Sequence, residues 1–171
     1  DGPCPAWDKL ISTLYKPEER EKIEWAIGAL VTGKSRDIQK FFVFYGDPGT
    51  GKSTILGVIE KLFQGYCAPF DSSVITSKNS QFPLQEFISN PMVAIQHDGD
   101  LSRIDDNSRL NSIVSHEVMS INIKGKTPIS KKIDSFLFIG SNKPVQFTDS
   151  KSGLKRRLID IRPSGNKLSP N

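Results

Sequence analysis

The residues best suited to chemistry lie between positions 46 and 53. Gly46-Asp47-Pro48-Gly49-Thr50-Gly51-Lys52-Ser53 fits the pattern G-x-x-x-x-G-K-[ST] at every fixed position. Glycines in such a loop let backbone N–H groups curl around phosphate oxygens, and the helix that follows turns its positive end toward them. Lys52 is expected to reach the β- and γ-phosphates of a nucleoside triphosphate, and the Ser53 hydroxyl to join the shell of a Mg²⁺ ion. The expected cradle is Gly46, Asp47, Pro48, Gly49, Thr50, Gly51, Lys52, Ser53 and Thr54, and the expected cofactors are ATP and Mg²⁺.

Hydrolysis of this type also needs carboxylates at the end of a second buried strand. The apolar run Met92-Val93-Ala94-Ile95 leads into Gln96-His97-Asp98-Gly99-Asp100. Asp98 is assigned to the metal shell with Ser53, and Asp100 is the candidate for orienting the attacking water. Asp and Gly also serve simply to turn a chain, so both assignments compete with a plain loop. His97 and His116 read as solvated or hydrogen-bonded histidines. Further on, Phe136–Ile139 ends in Gly140-Ser141-Asn142-Lys143-Pro144, where the Asn142 amide could hydrogen-bond the γ-phosphate or the lytic water. Arg156 and Arg157 stand directly before the last apolar run and could form a solvated face or stabilise transition-state charge.

These groups require a frame of alternating strands and helices. Phe41-Phe42-Val43-Phe44-Tyr45 is wholly apolar, as a strand buried on both faces should be. A helix is expected over 52–64, a second strand over Ser73–Thr76, a short helix over Phe82–Ile88 and a third strand over Met92–Ile95. Asp105–Ser115 reads as a helix, with Phe136–Ile139 and Leu158–Ile161 as the last buried strands. Ahead of them, Trp7, Leu10, Ile11 and Leu14 mark one amphipathic helix. Pro17 opens another, with Glu18 and Glu19 in its first turn and Gly33 as its stop. The fold class is therefore α/β: helices on both sides of a central, mostly parallel five-stranded sheet, with short N-terminal helices.

Between the acidic strand and the Asn142 strand, Met119, Ile121 and Ile123 alternate with Ser120 and Asn122. Lys124-Gly125-Lys126 supplies a turn, and Ile129–Ile133 a return strand carrying Lys131 and Lys132. Such a lysine-bearing hairpin suits sequence-independent phosphate contacts, although exposed lysines also protect sheet edges. No aromatic residue stands at its tip.

In this order and spacing, the phosphate loop, the acidic strand end, the basic hairpin, Ser141-Asn142-x-Pro144 and Gly153-x-x-Arg156-Arg157 resemble the superfamily-3 helicases. Within them the chain is most similar to the AAA+ ATPase part of viral and bacteriophage primase-helicases, over about residues 40–162. The resemblance implies a P-loop NTPase fold of AAA+ type and a sensor role for Asn142. It also implies an arginine finger at Arg156 or Arg157, and DNA contact through Lys124, Lys126, Lys131 and Lys132. A homo-oligomeric, hexameric ring that moves on single-stranded or forked DNA, in the host cytoplasm, is implied as well. The family's acidic motif usually ends in two adjacent carboxylates, whereas Gly99 here separates Asp98 from Asp100.

The 171 residues suffice for one hydrophobic core, and 36% hydrophobic with 25% charged residues is ordinary globular composition. The expected layout is a helical lead-in over 1–36, the ATPase core over 37–163 and a flexible tail over 164–171. The start at Asp1 suggests a segment of a longer protein. A net charge of +4 permits a nucleic-acid partner without demanding one, no apolar run is long enough for a membrane span, and Cys4 and Cys67 read as free thiols. A non-motor AAA+ initiator or loader fits nearly as well as a helicase. A small-molecule P-loop kinase fits less well, because the basic hairpin has no place in it.

Overall fold

The computed structural model describes residues 2–147 and 153–166. Its centre is a five-stranded sheet of β1 (Phe41–Tyr45), β2 (Cys67–Pro69), β3 (Val93–Gln96), β6 (Phe136–Ser141) and β7 (Leu158–Ile161). The strands lie in the order β2-β3-β6-β1-β7, and every pairing in it is parallel. A separate antiparallel hairpin joins β4 (Val118–Ile121) to β5 (Ile129–Lys132), with Met119 opposite Lys131.

Alternation along the strands divides the interior into two layers. Phe42, Phe44, Phe136 and Phe138 face α1 (Pro5–Leu14), α2 (Pro17–Val31) and α3 (Lys52–Leu62). Phe41, Val43, Leu137 and Ile139 face α4 (Ser72–Thr76) and α5 (Ser108–Val114). Phe42 stacks on Phe138 at 5.0 Å and meets Phe136 edge-on at 5.1 Å. Truncation of so central a ring to alanine costs about 3–5 kcal/mol. The N-terminal helices share this core with the sheet, through Ile11, Leu14, Ile23 and Leu30.

Several local expectations change. Ser73–Thr76 belongs to a helix, because the Asp71 carboxylate accepts from the Ser73 N–H and caps it. The second strand is instead Cys67–Pro69, too short and too mixed to carry a pattern. Only Gln85–Phe87 of the expected 82–88 helix is helical, as a single 3₁₀ turn, and the helix expected from Asp105 begins at Ser108. Gly33, at φ +70°, follows α2 as expected of a stop residue. Of the tail expected over 164–171, residues 167–171 lie outside the described residues, as do Lys151 and Ser152. No described helix is long and apolar enough to cross a membrane.

Candidate functional site

Parallel strands bring their C-terminal ends to one rim of the sheet, and this rim collects most of the chemistry expected from the sequence. The 46–53 loop leaves β1 there and enters α3. Gly46, Gly49 and Gly51 hold φ values of +144°, +81° and +87°, which residues with a Cβ rarely adopt. Two of these glycines are also tightly enclosed. A Cβ on Gly46 would lie 2.6 Å from the Pro163 ring, and one on Gly51 would lie 2.6 Å from the Leu14 side chain. The Thr50 hydroxyl donates to the Asp47 carbonyl at 2.8 Å and closes the loop on itself.

Lys52 is only 8% exposed, and its ammonium donates to the carbonyl oxygens of Gly46 at 2.5 Å and Asp47 at 3.0 Å. Burial lowers its pKa, while Asp47 and Asp98 oppose the shift. Lys52 lines a cavity of about 570 Å³ together with Gly49, Gly51, Ser53, Asp98 and Asn142. Residues from β1's loop, β3's exit and β6's exit are thus brought into one space, whose size suits a small organic ligand.

Asp98 and Asn142 reach the cavity because the exits of β3 and β6 touch. The Gly99 N–H donates to the Gly140 carbonyl at 2.7 Å, and a Cβ on Gly140 would overlap the His97 carbonyl. A Cβ on Gly99 would meet Ile139 at 2.7 Å, so the residue that parts the two carboxylates is itself a packing requirement. The consequence falls on Asp100. It is not among the residues lining the cavity, and its carboxylate instead accepts from Lys143 Nζ at 2.6 Å and from Ser102. Those bonds, the Lys143 one first, hold its pKa well below the usual carboxylate range. The expected water-orienting role of Asp100 therefore has no geometric support in this arrangement. His97 lines the cavity and pairs with Glu60 of α3 at 3.2 Å, a neighbour that spacing along the chain could not reveal.

The rim is walled on one side by both ends of the described chain. Ser164 donates through its N–H to the Leu14 carbonyl at 2.7 Å and through its hydroxyl to the Thr13 carbonyl at 2.8 Å. Arg162 lies over the Tyr45 ring at 6.0 Å. Tyr45, Asp47, Thr50, Asn142, Arg162 and Pro163 border a neighbouring cavity of about 420 Å³. Leu14 and Pro163 could not be picked out from sequence, since each meets the loop only through tertiary packing.

The fit to a polyanion rests on the enclosed positive-φ glycines, the N-terminus of α3 and the buried Lys52 ammonium. For a metal, the donor set is sparse. No group of three or more His, Cys, Asp or Glu side chains able to hold an ion is present among the described residues. Ser53 and Asp98 supply hard oxygen donors, so a divalent cation would need further oxygens from the ligand or water.

The remaining expected residues sit elsewhere. Arg156 and Arg157 precede β7 and lie at the opposite rim, the N-terminal one, about 15 Å from the loop along a five-residue strand. The structure divides the pair. Arg157 is 9% exposed and donates to the side chains of Asn111 and Gln39, and burial, then Arg156, lowers its pKa. It braces α5 against the β1 entry, so an arginine-finger role for it would require breaking that brace. Arg156 is exposed.

The basic hairpin leaves the same rim. Lys124 and Lys126 are exposed at its turn, where the Lys126 N–H donates to the Ile123 carbonyl and Gly125 takes φ +71°. Neither makes an ion pair with the described residues. The return-strand lysines are less available. Lys131 donates to the Ile88 carbonyl at 2.9 Å, and Lys132 pairs with Asp134 at 3.3 Å. His116 is buried at the hairpin's base, its two ring nitrogens facing the carbonyls of Ile133 and Ile38.

Among solved structures, the chain is similar to an apo structure of the C-terminal region of NrS-1, with a TM-score of 0.70 and 21% identity over 92% of this chain and 38% of that one. It is also similar to an A form of that region, with a TM-score of 0.67 and 22% identity over 93% of this chain and 37% of the other. It thus spans well under half of the region it matches. At this identity the likeness speaks for the fold. A search of curated proteins gives no match. The model of a family of unknown function, DUF5906, matches residues 44–157, from the end of β1 to the arginine pair, and the chain belongs to that family.

Proposed function

We propose that the chain is an ATP-hydrolysing core of superfamily-3, AAA+ type, from a phage-type replicative helicase that works on single-stranded DNA as a ring oligomer. The observation that carries this reading is the meeting of Lys52, Ser53, Asp98 and Asn142 around one cavity, beneath a loop whose glycines are sterically enforced.

In this reading the loop N–H groups and the α3 N-terminus bind the triphosphate. The Lys52 ammonium leaves the Gly46 and Asp47 carbonyls for the β- and γ-phosphate oxygens. Mg²⁺, when bound with the nucleotide by Ser53 and Asp98, would neutralise charge between those phosphates. Asn142, at the end of a buried strand, donates its amide to the γ-phosphate or the attacking water, which makes it the residue that registers hydrolysis. Its loop is held by the Ser141 hydroxyl, which donates to the Lys143 carbonyl and accepts from the Lys143 N–H.

Arg156 is the better arginine-finger candidate of the two because it is exposed. Its distance from its own loop means that it could act only on a neighbouring subunit's nucleotide. The test is phosphate release under assembling conditions. Arg156→Ala should lose hydrolysis while still binding nucleotide, and mixing it with Lys52→Ala subunits should restore part of the activity. Arg156→Ala hydrolysing ATP like the wild type would remove the shared site. Strand displacement on a forked substrate separates a motor from a loader that uses ATP only to assemble.

A further inference from the structure

A second charged surface lies at the N-terminal rim, apart from the hairpin. Residues 34–40 lead into β1 and residues 155–157 lead into β7. These strands pair in parallel, with Phe41 opposite Leu158, so the two segments arrive side by side. The first carries Lys34, Arg36 and Lys40, and the second Lys155 and Arg156, against a net charge of +4 for the whole chain. Lys40 Nζ donates to the Arg156 carbonyl at 2.6 Å and ties the segments together. Lys34, Arg36, Lys155 and Arg156 are exposed, and none is in an ion pair with the described residues.

Between them runs a groove of about 520 Å³ lined by Trp25, Asp37, Gln39, Lys40, Arg156 and Arg157. Asp37 is its one acidic lining residue. Arg157, although more than nine-tenths buried, leaves its Nε without a partner among the described residues. Trp25 is 46% exposed, yet its ring packs on Phe42 with centroids 6.2 Å apart. A half-exposed indole fixed from beneath by the core is a pre-ordered stacking platform. It stands at the boundary between the cations of this groove and the mixed charges of α2, Glu18, Glu21 and Glu24 with Arg20 and Lys22.

We infer that the groove of Trp25 and Lys40, with Lys34, Arg36 and Lys155 around it, binds single-stranded nucleic acid, its phosphates on these cations and a base on Trp25; Arg156 keeps the role proposed for it above. Aromatic stacking with flanking cations is what a sequence-tolerant single-strand site requires, and the hairpin turn has no aromatic to provide it. The two surfaces are joined structurally: His116 at the hairpin base contacts the Ile38 carbonyl, within the 34–40 segment. This inference extends the nucleic-acid partner of the proposed function but does not need the nucleotide site to be active.

The test is fluorescence anisotropy of a labelled oligothymidylate of roughly a dozen nucleotides, titrated with the 171-residue chain at several salt concentrations. Trp25→Ala should weaken binding about tenfold, within the range of one lost base stack, and Trp25→Phe should recover most of it. Far-UV circular dichroism checks that each variant is folded. The double change Lys34→Glu, Arg36→Glu should weaken binding and flatten the salt dependence by about 1.4 in the log–log slope. Wild-type affinity in both Trp25→Ala and the double variant would overturn the site. So would displacement of the oligonucleotide by inorganic tripolyphosphate at equal phosphate concentration, which would mean anion binding without stacking. Lys52→Ala keeps the two readings apart: it should lose nucleotide binding and retain the oligonucleotide.

Discussion

The two rims of the sheet are built from opposite materials. At the C-terminal rim the candidate groups are mostly backbone or short side chains: glycine N–H groups, a serine, an aspartate, an amide and one buried lysine. At the N-terminal rim they are long cationic side chains, a tryptophan and a lysine-tipped hairpin. A backbone cradle fixes a small anion at one distance and tolerates little change, because a Cβ on Gly46 or Gly51 would collide with Pro163 or Leu14. Flexible cations on a broad surface suit a polymer whose register must slip, and each contributes a modest, separable share. Mutations at the first rim should therefore act nearly all-or-none, and those at the second by increments.

The largest effect is expected from Lys52→Ala. Loss of a preorganised cation from the phosphates should reduce ATP hydrolysis by about 10²–10³-fold or more, with the fold intact by circular dichroism. Next is Gly140→Ala, which drives a Cβ into the His97 carbonyl, a backbone atom that cannot swing away. It should lower stability by about 1–3 kcal/mol, or roughly 2–12 °C in Tm, and displace Asp98 and Asn142 from each other. A Gly140→Ala protein with unchanged Tm and hydrolysis would break the claim that contact between the β3 and β6 exits builds the site.

A smaller effect belongs to Asp100. Lys143 and then Ser102 depress its folded-state pKa, so its contribution to stability is full above the unfolded-state value and is lost as pH falls through the folded one. Asp100→Asn should thus lower Tm slightly at neutral pH, and the difference should shrink below a pH of about 4. Hydrolysis falling as far as in Lys52→Ala would return Asp100 to the chemistry. Smallest of all, Lys124→Ala and Lys126→Ala should each weaken single-strand binding modestly and reduce the salt slope by about 0.7. Lys131→Ala should do less, since its ammonium already serves the Ile88 carbonyl.

What could be read in advance follows the same division. The strands through Phe41, Val93 and Phe136 were legible because strands buried on both faces are continuous apolar runs, whereas β7, expected to be buried as well, is a half-buried edge strand interrupted by Asp160. The glycines of the 46–53 loop were legible because left-handed backbone dictates the residue type. β2 was not, since three residues ending in Pro69 carry no periodicity, and Val74-Ile75-Thr76 favours a strand until the Asp71 cap is counted. Asp98 and Asn142 follow from strand ends. Separating Asp100 from Asp98 required the packing of Gly99 on Ile139, and separating Arg157 from Arg156 required knowing that Asn111 and Gln39 lie nearby. The Trp25 groove was hidden for another reason: its two basic segments are more than a hundred residues apart and meet only through the β1–β7 pairing.

The most direct measurement is Mg²⁺-dependent ATP hydrolysis by the wild type and Lys52→Ala, each with and without oligothymidylate. On the proposed reading, hydrolysis requires Lys52 and rises when the oligonucleotide occupies the opposite rim. A wild type that neither binds nor hydrolyses ATP above the level of Lys52→Ala, with or without the oligonucleotide, would contradict it.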